Sequence, residues 1–357
     1  MKLVLALAVT GALACAEPAA SLRVGKVALK SAGPLAFGPE GILFAGDSAA
    51  ASVVAIDTGD RKAGKATTIE VKAINEKVAA LLGTSPDQIL IADAVVNPVS
   101  KNVYLSVSKG KGPDATAHIV RVDGAGKLTE QSLDNVKHAS IALPDAPSPE
   151  MKDRRGQTLR NESITDLAFV DGKVFVAGLS NEEFSSSLRA IPYPFESATK
   201  AAGIEIFHGA HGRFETNAPV RTFVPYTIAS KPHILAAYTC TPLVTIPVSE
   251  LTPGNKVKGR TIAELGNRNR PLDMIVYKKD GKDFILMANS SRGVMKLPAE
   301  KLDGYEGIVA QTEKQGVPYE TVADLKGVQQ LDKLDDKSAV ILSDAAGSLD
   351  LRTIALP

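Results

Sequence analysis

Three aspartates stand at the same position of a repeated pattern and are the first candidates for chemistry. Asp93, Asp166 and Asp273 each precede a short apolar run, AVV, LAF or MIV. Carboxylates brought close together raise one another's pKa unless a cation or an arginine offsets their charge. Three roles stay open: binding backbone amides of their own strand or the neighbouring repeat, jointly binding a hard divalent cation, with calcium favoured, or contacting a ligand or substrate directly. The whole column, read by superposing the repeats, is Pro34, Asp93, Asp166, Tyr226, Asp273 and Gln330.

Arginines lie close to this column in the sequence. The run Asn267-Arg268-Asn269-Arg270 comes directly before Asp273, and Arg292 follows Asn289 in the next loop. A guanidinium beside carboxylates either pairs with them or binds an anionic ligand through its planar fork. We therefore predict one ligand-binding face, made of Asp93, Asp166, Tyr226, Asp273, Gln330, Arg268, Arg270, Asn289 and Arg292.

A thiol and several imidazoles give a second option for a metal. Cys240 is the one cysteine besides Cys15, and Tyr238 precedes it on the same predicted loop. Together with His118 and His138, these residues would make a copper or zinc site if their loops fold together. The sequence HGAHG, with His208 and His211, has a His-x-x-His spacing that could bind a soft metal. It also matches the Gly-rich turn DGAG of another repeat, and we place it on the opposite face as a turn.

Several catalytic signatures do not occur in the sequence. It has no G-x-S-x-G, no H-E-x-x-H, no phosphate-binding glycine loop and no C-x-x-C-H. Whether the protein is an enzyme therefore stays open at this level.

The elements that position these residues are short strands in a recurring order. An apolar run, a turn rich in Gly, Asp, Asn or Pro, and a second apolar run ending in small polar residues recur about six times. Repeats of about 50 residues with up to four short strands indicate an all-β fold, a β-propeller. We predict six blades, with seven as the alternative because the range 161–225 is long. The repeats begin near Pro34, Ala92, Thr165, Tyr226, Pro271 and Gln329.

Three features depart from the repeat. The segment 22–29 is expected to complete the last blade and so close the ring, because closure removes exposed sheet edges. The segment 75–82 is expected to be one connector helix. The ranges 137–160 and 181–202 are interpreted as insertions on the top face, either as surface decoration or as a lid over a ligand.

The first residues predict export. Residues 1–16 have one lysine, a short apolar run and a small-residue cleavage site, the pattern of a signal peptide, which leaves 17–357 as a single propeller domain. Cys15 also permits a lipid anchor. Removal of Lys2 takes the formal net charge from +1 to zero, which disfavours nucleic acid as a partner. We expect a periplasmic or extracellular monomer without a transmembrane segment.

The repeat pattern resembles six-bladed propellers of the calcium-dependent lactonase or gluconolactonase kind, and also the propeller repeats of secreted bacterial surface proteins. The resemblance covers the whole mature chain and concerns architecture. In the lactonase-like families a divalent cation at the top of the channel polarises an ester carbonyl. Pro34 stands where that pattern has a glutamate. The resemblance implies a cation bound by carboxylates and amides, with Asp93, Asp166, Asp273 and one of Asn161, Asn289 or Gln330.

Two hypotheses follow. The first is an exported binding or scaffold protein that takes a small molecule or a protein partner on its top face. The second is a metal-dependent enzyme at the channel mouth, either a calcium-dependent hydrolase or a copper oxidoreductase that uses Tyr238 and Cys240.

Overall fold

The structure, a computed structural model, describes residues 22–240 and 242–357. The expected signal peptide and Cys15 lie outside the described residues. The predicted connector helix is confirmed as α1 (Ile74–Leu82), which ends at Gly83 in the left-handed conformation. Within the described ranges, no helix has the length and apolar character needed to cross a membrane. Short 3₁₀ turns are Pro39–Gly41, Pro86–Gln88, Gly112–Asp114, Leu159–Glu162, Gly209–His211, Val248–Glu250 and Leu302–Gly304.

The rest of the regular structure is β-strand. The strands of the first half are β1 (Arg23–Gly25), β2 (Leu35–Phe37), β3 (Ile42–Asp47), β4 (Ser52–Asp57), β5 (Glu70–Val71), β6 (Ile89–Val96), β7 (Val103–Lys109), β8 (Thr116–Val122), β9 (Leu128–Glu130), β10 (Val136–Ala142), β11 (Asp166–Val170), β12 (Lys173–Leu179) and β13 (Ser186–Pro192). Those of the second half are β14 (Ala202–His208), β15 (Arg213–Glu215), β16 (Val220–Ile228), β17 (Lys231–Tyr238), β18 (Pro242–Pro247), β19 (Lys256–Lys258), β20 (Arg260–Leu265), β21 (Pro271–Lys279), β22 (Lys282–Asn289), β23 (Gly293–Pro298), β24 (Lys314–Gly316), β25 (Glu320–Val322), β26 (Val328–Lys333), β27 (Ser338–Ala345) and β28 (Ser348–Ala355).

These strands form six sheets, the blades of a β-propeller, so the prediction of an all-β six-bladed propeller is confirmed. Their central strands read as continuous apolar runs because each sheet is covered on both faces by its neighbours. Leu43 and Phe44 of β3, for example, are both fully buried. From the innermost strand outward the blades are I (β2-β3-β4-β10-β1), II (β6-β7-β8-β9), III (β11-β12-β13-β14-β15, with β19 on β14), IV (β16-β17-β18-β20-β24), V (β21-β22-β23-β25) and VI (β26-β27-β28-β5).

The blades do not follow one another around the ring in chain order. The innermost strands are neighbours in the order β6, β2, β11, β16, β21, β26, and β26 then meets β6. The chain therefore builds blade I, steps back to blade II, and crosses over blade I to reach blade III. We call the face at which the innermost strands begin the top of the propeller.

The prediction that residues 22–29 complete the last blade and close the ring is wrong. Residues 22–29 contain β1, which pairs with β10 at the outer edge of blade I. Blade VI is completed instead by β5, where Val71 pairs with Leu351 and is buried with it. The segment that follows blade I in the sequence thus belongs to blade VI in space. Superposing the repeats in chain order cannot show which distant segments pair, because that pairing depends on packing in the folded ring.

Each of the two expected insertions contains a strand of a blade. The range 181–202 contains β13, whose seven residues pair with β12 as the third strand of blade III. The range 137–160 begins with β10, which pairs with β4 in blade I. The interpretation of 181–202 as a lid is therefore wrong. Because β13 is the third strand of blade III, β14 is the fourth strand, and it runs towards the top of the propeller and ends there.

Candidate functional site

The top of the channel is built where the innermost strands begin. In four of them the pairing register shifts just before the column position. A β-bulge of this kind bends a strand and re-aims the side chain that follows it. The shifts lie between Ile91 and Asp93, Val220 and Thr222, Pro271 and Asp273, and Val328 and Gln330.

The prediction that Tyr226 belongs to this column is wrong. β16 already begins at Val220, and its residue at the column position is Thr222. Tyr226 lies further down the strand, where its hydroxyl donates to Asp283 Oδ2 at 3.0 Å. The short apolar run after Tyr226 led to a register that starts too late, and the Val-Arg-Thr-Phe-Val segment before it is the true beginning of the strand.

Each column aspartate ties its own strand to the next blade. Asp166 accepts the N–H of Leu167 at Oδ1 and the N–H of Phe223 in blade IV at Oδ2, both at 2.7 Å. This is the backbone-binding role that the sequence left open. The same arrangement occurs at the other two, with Oδ2 accepting from the next blade: Asp93 from Leu35 at 2.6 Å, and Asp273 from Leu331 at 2.8 Å.

Burial governs the ionisation of these groups. It raises the pKa of Asp93 and of Asp166 to about 7, against the opposing effect of the backbone N–H donors. Burial, together with the negative charges of Asp93 and Asp166, also raises the pKa of Asp273 well above its usual value. The column therefore favours neutral carboxyl groups more than isolated aspartates do.

These carboxyl groups do not fit a calcium ion. Calcium takes several charged or carbonyl oxygens at about 2.3–2.6 Å. Both oxygens of Asp93, Asp166 and Asp273 accept backbone N–H groups, and the three do not form a cluster of ligand atoms within 4.8 Å of one another among the described residues. The cation that the lactonase resemblance implies has no matching ligand set here.

A cavity of about 370 Å³ lies directly above the aspartates. Its wall carries two arginines, Arg221 and Arg270, and one further acidic side chain, Glu162. Arg221 forms an ion pair with Glu162, and its Nε donates to Thr239 Oγ1 at 3.2 Å. The polar residues that line this cavity are Asp93, Asn161, Glu162, Thr165, Asp166, Arg221, Thr222, Arg270, Asp273 and Gln330.

The side chain of Arg270 makes no hydrogen bond or ion pair among the described residues, and it keeps substantial exposure to solvent. Partial burial together with the positive charge of Arg221 lowers its pKa, whereas the negative charge of Glu162 acts to raise it. An arginine nevertheless remains protonated at neutral pH. Its backbone is held on both sides, because its N–H donates to Ser290 Oγ and its carbonyl accepts the N–H of Ser290, each at 2.9 Å.

The neighbouring predicted residues support this loop rather than line the cavity. Asn289 is buried, and its Nδ2 donates to Asn269 Oδ1 at 2.7 Å. Arg292 donates from Nη2 to the carbonyl of Asn267 at 2.9 Å. Arg268 is exposed to solvent, and its own backbone is left-handed, with a φ of 57°. The predicted set thus divides: Asp93, Asp166, Asp273, Gln330 and Arg270 meet at the cavity, whereas Arg268, Asn289, Arg292 and Tyr226 do not line it.

The predicted thiol and imidazole set does not assemble. His118 bonds Glu130 at 2.7 Å, and His138 pairs with Ile56 near the bottom of blade I. Tyr238 is completely buried in the core. Cys240 lies instead beside His208 and His211, which sequence reasoning placed on the bottom face. That placement is wrong because it counted β14 as a third strand; as the fourth strand, β14 ends at the top.

Two functional candidates were missed in the sequence. Arg221 lies in the bulge directly before Thr222, and Asp332 repeats the bridging role two residues after Gln330. Asp332 accepts the N–H of Val96 in blade II at 2.7 Å. For Arg221 the signal was a charged residue at the start of an apolar strand, but it required the correct register. Asp332 is the fifth residue of β26 and gives no comparable signal at the start of its strand.

Comparisons with known proteins give an architectural result. No protein-family profile and no curated protein sequence matches this chain. Similar solved structures include a glucose dehydrogenase (12% identity, TM-score 0.41, covering 94% of this chain and 100% of that one). A putative glucose dehydrogenase from Thermus thermophilus has 12% identity and a TM-score of 0.38, over 93% of this chain and 100% of the other. The soluble aldose sugar dehydrogenase of Escherichia coli has 12% identity and a TM-score of 0.35, over 94% and 100%.

Likeness at this level carries no argument about activity, because propellers host many unrelated functions. The six-bladed architecture rests on the sheets of this chain itself. What the protein does must therefore be argued from its own side chains.

Proposed function

We propose that this protein is an exported binding protein that takes a small carboxylate or phosphate anion into the top cavity. The observation that carries the proposal is Arg270, a cation in the wall of a concavity of about 370 Å³ whose side chain makes no hydrogen bond or ion pair among the described residues. Small-molecule sites are concave and begin at about 300 Å³. The export part of the proposal rests on the signal-like residues 1–16.

The chemistry of the cavity supports a carboxylate or phosphate group as the bound anion. The fork of Arg270 suits two parallel hydrogen bonds to such a group, and Arg221 adds a second positive charge beside it. Burial raises the pKa of the carboxyl groups below, which reduces their negative charge near neutral pH and with it their repulsion of an anion. The two hydrogen bonds with Ser290 fix the backbone of Arg270 and so the point from which its side chain extends.

Thermal shift and calorimetric titration at constant ionic strength test this proposal. We expect binding of one or more probes among inorganic phosphate, acetate, succinate and citrate, and no comparable binding of neutral sorbitol. Arg270→Gln should weaken that binding at least tenfold, which corresponds to about 1.4 kcal/mol. Arg268→Gln is the matched control, because Arg268 is exposed two residues away and should leave affinity unchanged.

Two results would overturn the proposal. One is that no anion of the panel binds to the protein. The other is that Arg270→Gln and Arg268→Gln bind with the same affinity as the wild type, which would place any anion elsewhere.

A further inference from the structure

Cys240 of blade IV comes together with two histidines of blade III, His208 and His211, at the top of the propeller. The thiol sulfur and one nitrogen each of His208 and His211 lie within 4.8 Å of one another. His208 is 2% exposed, Cys240 is half-buried and His211 is exposed. Among the described residues this is the one group of three potential ligands at such a spacing. It lies outside the residues that line the top cavity.

One carboxylate orients both imidazoles. Nδ1 of His208 lies 2.8 Å from Glu215 Oε2, and Nδ1 of His211 lies 2.8 Å from Glu215 Oε1. Arg213 Nε donates to the same carboxylate at 3.1 Å. Histidines that bind metals usually make such a bond through the nitrogen that does not bind the metal. The Nε2 atoms are therefore the ones available to a ligand.

The Nε2 atom of His208 is an independent indication of a ligand. It is buried and has no hydrogen-bond partner among the described residues. Buried polar atoms are almost always satisfied, and an exception requires an explanation such as an ion. The tight spacing of the two rings, whose centroids lie 3.9 Å apart, brings the second imidazole to the same place.

The local backbone fixes this arrangement. His208 ends β14, and the 3₁₀ turn that follows begins at Gly209, whose N–H donates to the buried Glu264. A Cβ at residue 209 would lie 2.7 Å from Cγ of Glu264, so this turn requires glycine. On the other side, the N–H of Cys240 donates to the carbonyl of Asn269 at 2.8 Å. The ligands thus come from blades III and IV and meet only in the folded ring.

We propose that Cys240 Sγ and the Nε2 atoms of His208 and His211 bind one zinc or copper ion. A thiolate and two neutral imidazoles suit these metals and not calcium or magnesium. In tetrahedral geometry the ligand atoms would be roughly 3.5 Å apart, given metal–sulfur and metal–nitrogen bonds of about 2.3 and 2.0 Å. Rotation of the two less buried side chains, Cys240 and His211, would bring the ligand atoms from the observed spacing of up to 4.8 Å to this shorter distance. Three protein ligands leave a fourth position for water or a small ligand.

Metal titration of the whole protein, after treatment with a chelator, tests the site. We expect one equivalent of Zn²⁺ or Cu²⁺ to bind and Ca²⁺ not to compete. Co²⁺ in place of Zn²⁺, or Cu²⁺ itself, should give the intense absorption of a thiolate bound to a metal.

Variants separate this site from adventitious binding. Cys240→Ser, which preserves shape, should abolish the thiolate absorption and weaken binding at least tenfold, and His211→Ala should weaken it similarly. Glu215→Gln, a change at a positioning residue, should weaken binding by about 10–100-fold while the absorption persists at saturation. His233→Ala, at a half-buried histidine on β17 that is not part of the site, is the control and should leave metal binding unchanged.

The proposal is overturned if no equivalent of either metal binds to the wild type. It is equally overturned if Cys240→Ser and His211→Ala retain wild-type affinity. Circular dichroism of each variant checks that the fold is kept, and the exposed position of His211 makes that variant informative even if a buried change perturbs folding.

Discussion

Asp332 illustrates how one carboxylate joins two blades. Its Oδ1 accepts the N–H of Lys333 and its Oδ2 accepts the N–H of Val96, each at 2.7 Å. Bridges of this kind run in one direction around the ring, from V to VI, VI to II, II to I, and III to IV. These acidic residues of the innermost strands are therefore part of the architecture.

The bridge can be tested by removing its acceptor. Asp332→Ala leaves two backbone N–H groups at the blade VI–II junction without their bonds, each of which costs about 1–3 kcal/mol. We expect the free energy of unfolding to fall by about 2–4 kcal/mol. Urea denaturation measures this change.

The matched control is Asp324→Ala, at an exposed aspartate, for which we expect a change within about 0.5 kcal/mol. Equal effects of the two substitutions would mean that the bridge does not contribute to stability.

At the scale of elements, a very short strand closes the ring. β5 has two residues, yet it supplies the fourth strand of blade VI and leads into α1. Val71 is 1% exposed and packs with Ile74 and Leu351 in the same apolar cluster. On β1, in contrast, Val24 is 60% exposed.

This difference in burial predicts a large effect of a valine-to-aspartate substitution at residue 71 and a small effect at residue 24. Val71→Asp buries an unpaired charge at the closure of the ring and should lower the free energy of unfolding by about 3 kcal/mol or more. Val24→Asp, on the outermost strand of blade I, should stay within about 0.5 kcal/mol of the wild type. Thermal unfolding of both variants decides the matter. A larger loss from Val24→Asp would show that the N-terminal strand closes the propeller.

At the scale of the whole molecule, the buried carboxyl groups couple stability to pH. Burial raises the pKa of Asp93 and Asp166 to about 7 and that of Asp332 to about 6. In the unfolded chain the same groups titrate near 3.9. Their stabilising contribution is therefore complete below about pH 4 and is lost as the pH rises through about 6–7.

We accordingly expect the thermal midpoint to fall as the pH is raised from about 5 to 8. Asp57 acts in the opposite sense: burial opposes the change, but the hydrogen bond from Arg61 lowers its pKa, so its contribution is lost only on acidification below about pH 4. Scanning calorimetry across this window measures the slope. Asp93→Asn, which cannot titrate, should make the slope shallower. A midpoint that rises with pH across the same window would contradict the prediction.

The sequence alone determined what depends on short stretches of chain. Turn residues between apolar runs predicted the strands and six blades, and the segment 75–82 predicted α1 within one residue. Asp93, Asp166 and Asp273 could be recognised because each begins a strand of the same local pattern. Arg270 followed from its position directly before one of these strands.

Only the tertiary structure decided which segments pair across the ring. The order of blades I and II, the ownership of β5, and the meeting of Cys240 with His208 all depend on contacts between residues distant in the chain. Register errors explain the rest, since a strand read from the wrong residue places its side chains on the wrong face or at the wrong height. Thr222 replaced Tyr226 in the column for this reason, and the counting of β13 as a loop reversed the predicted direction of β14.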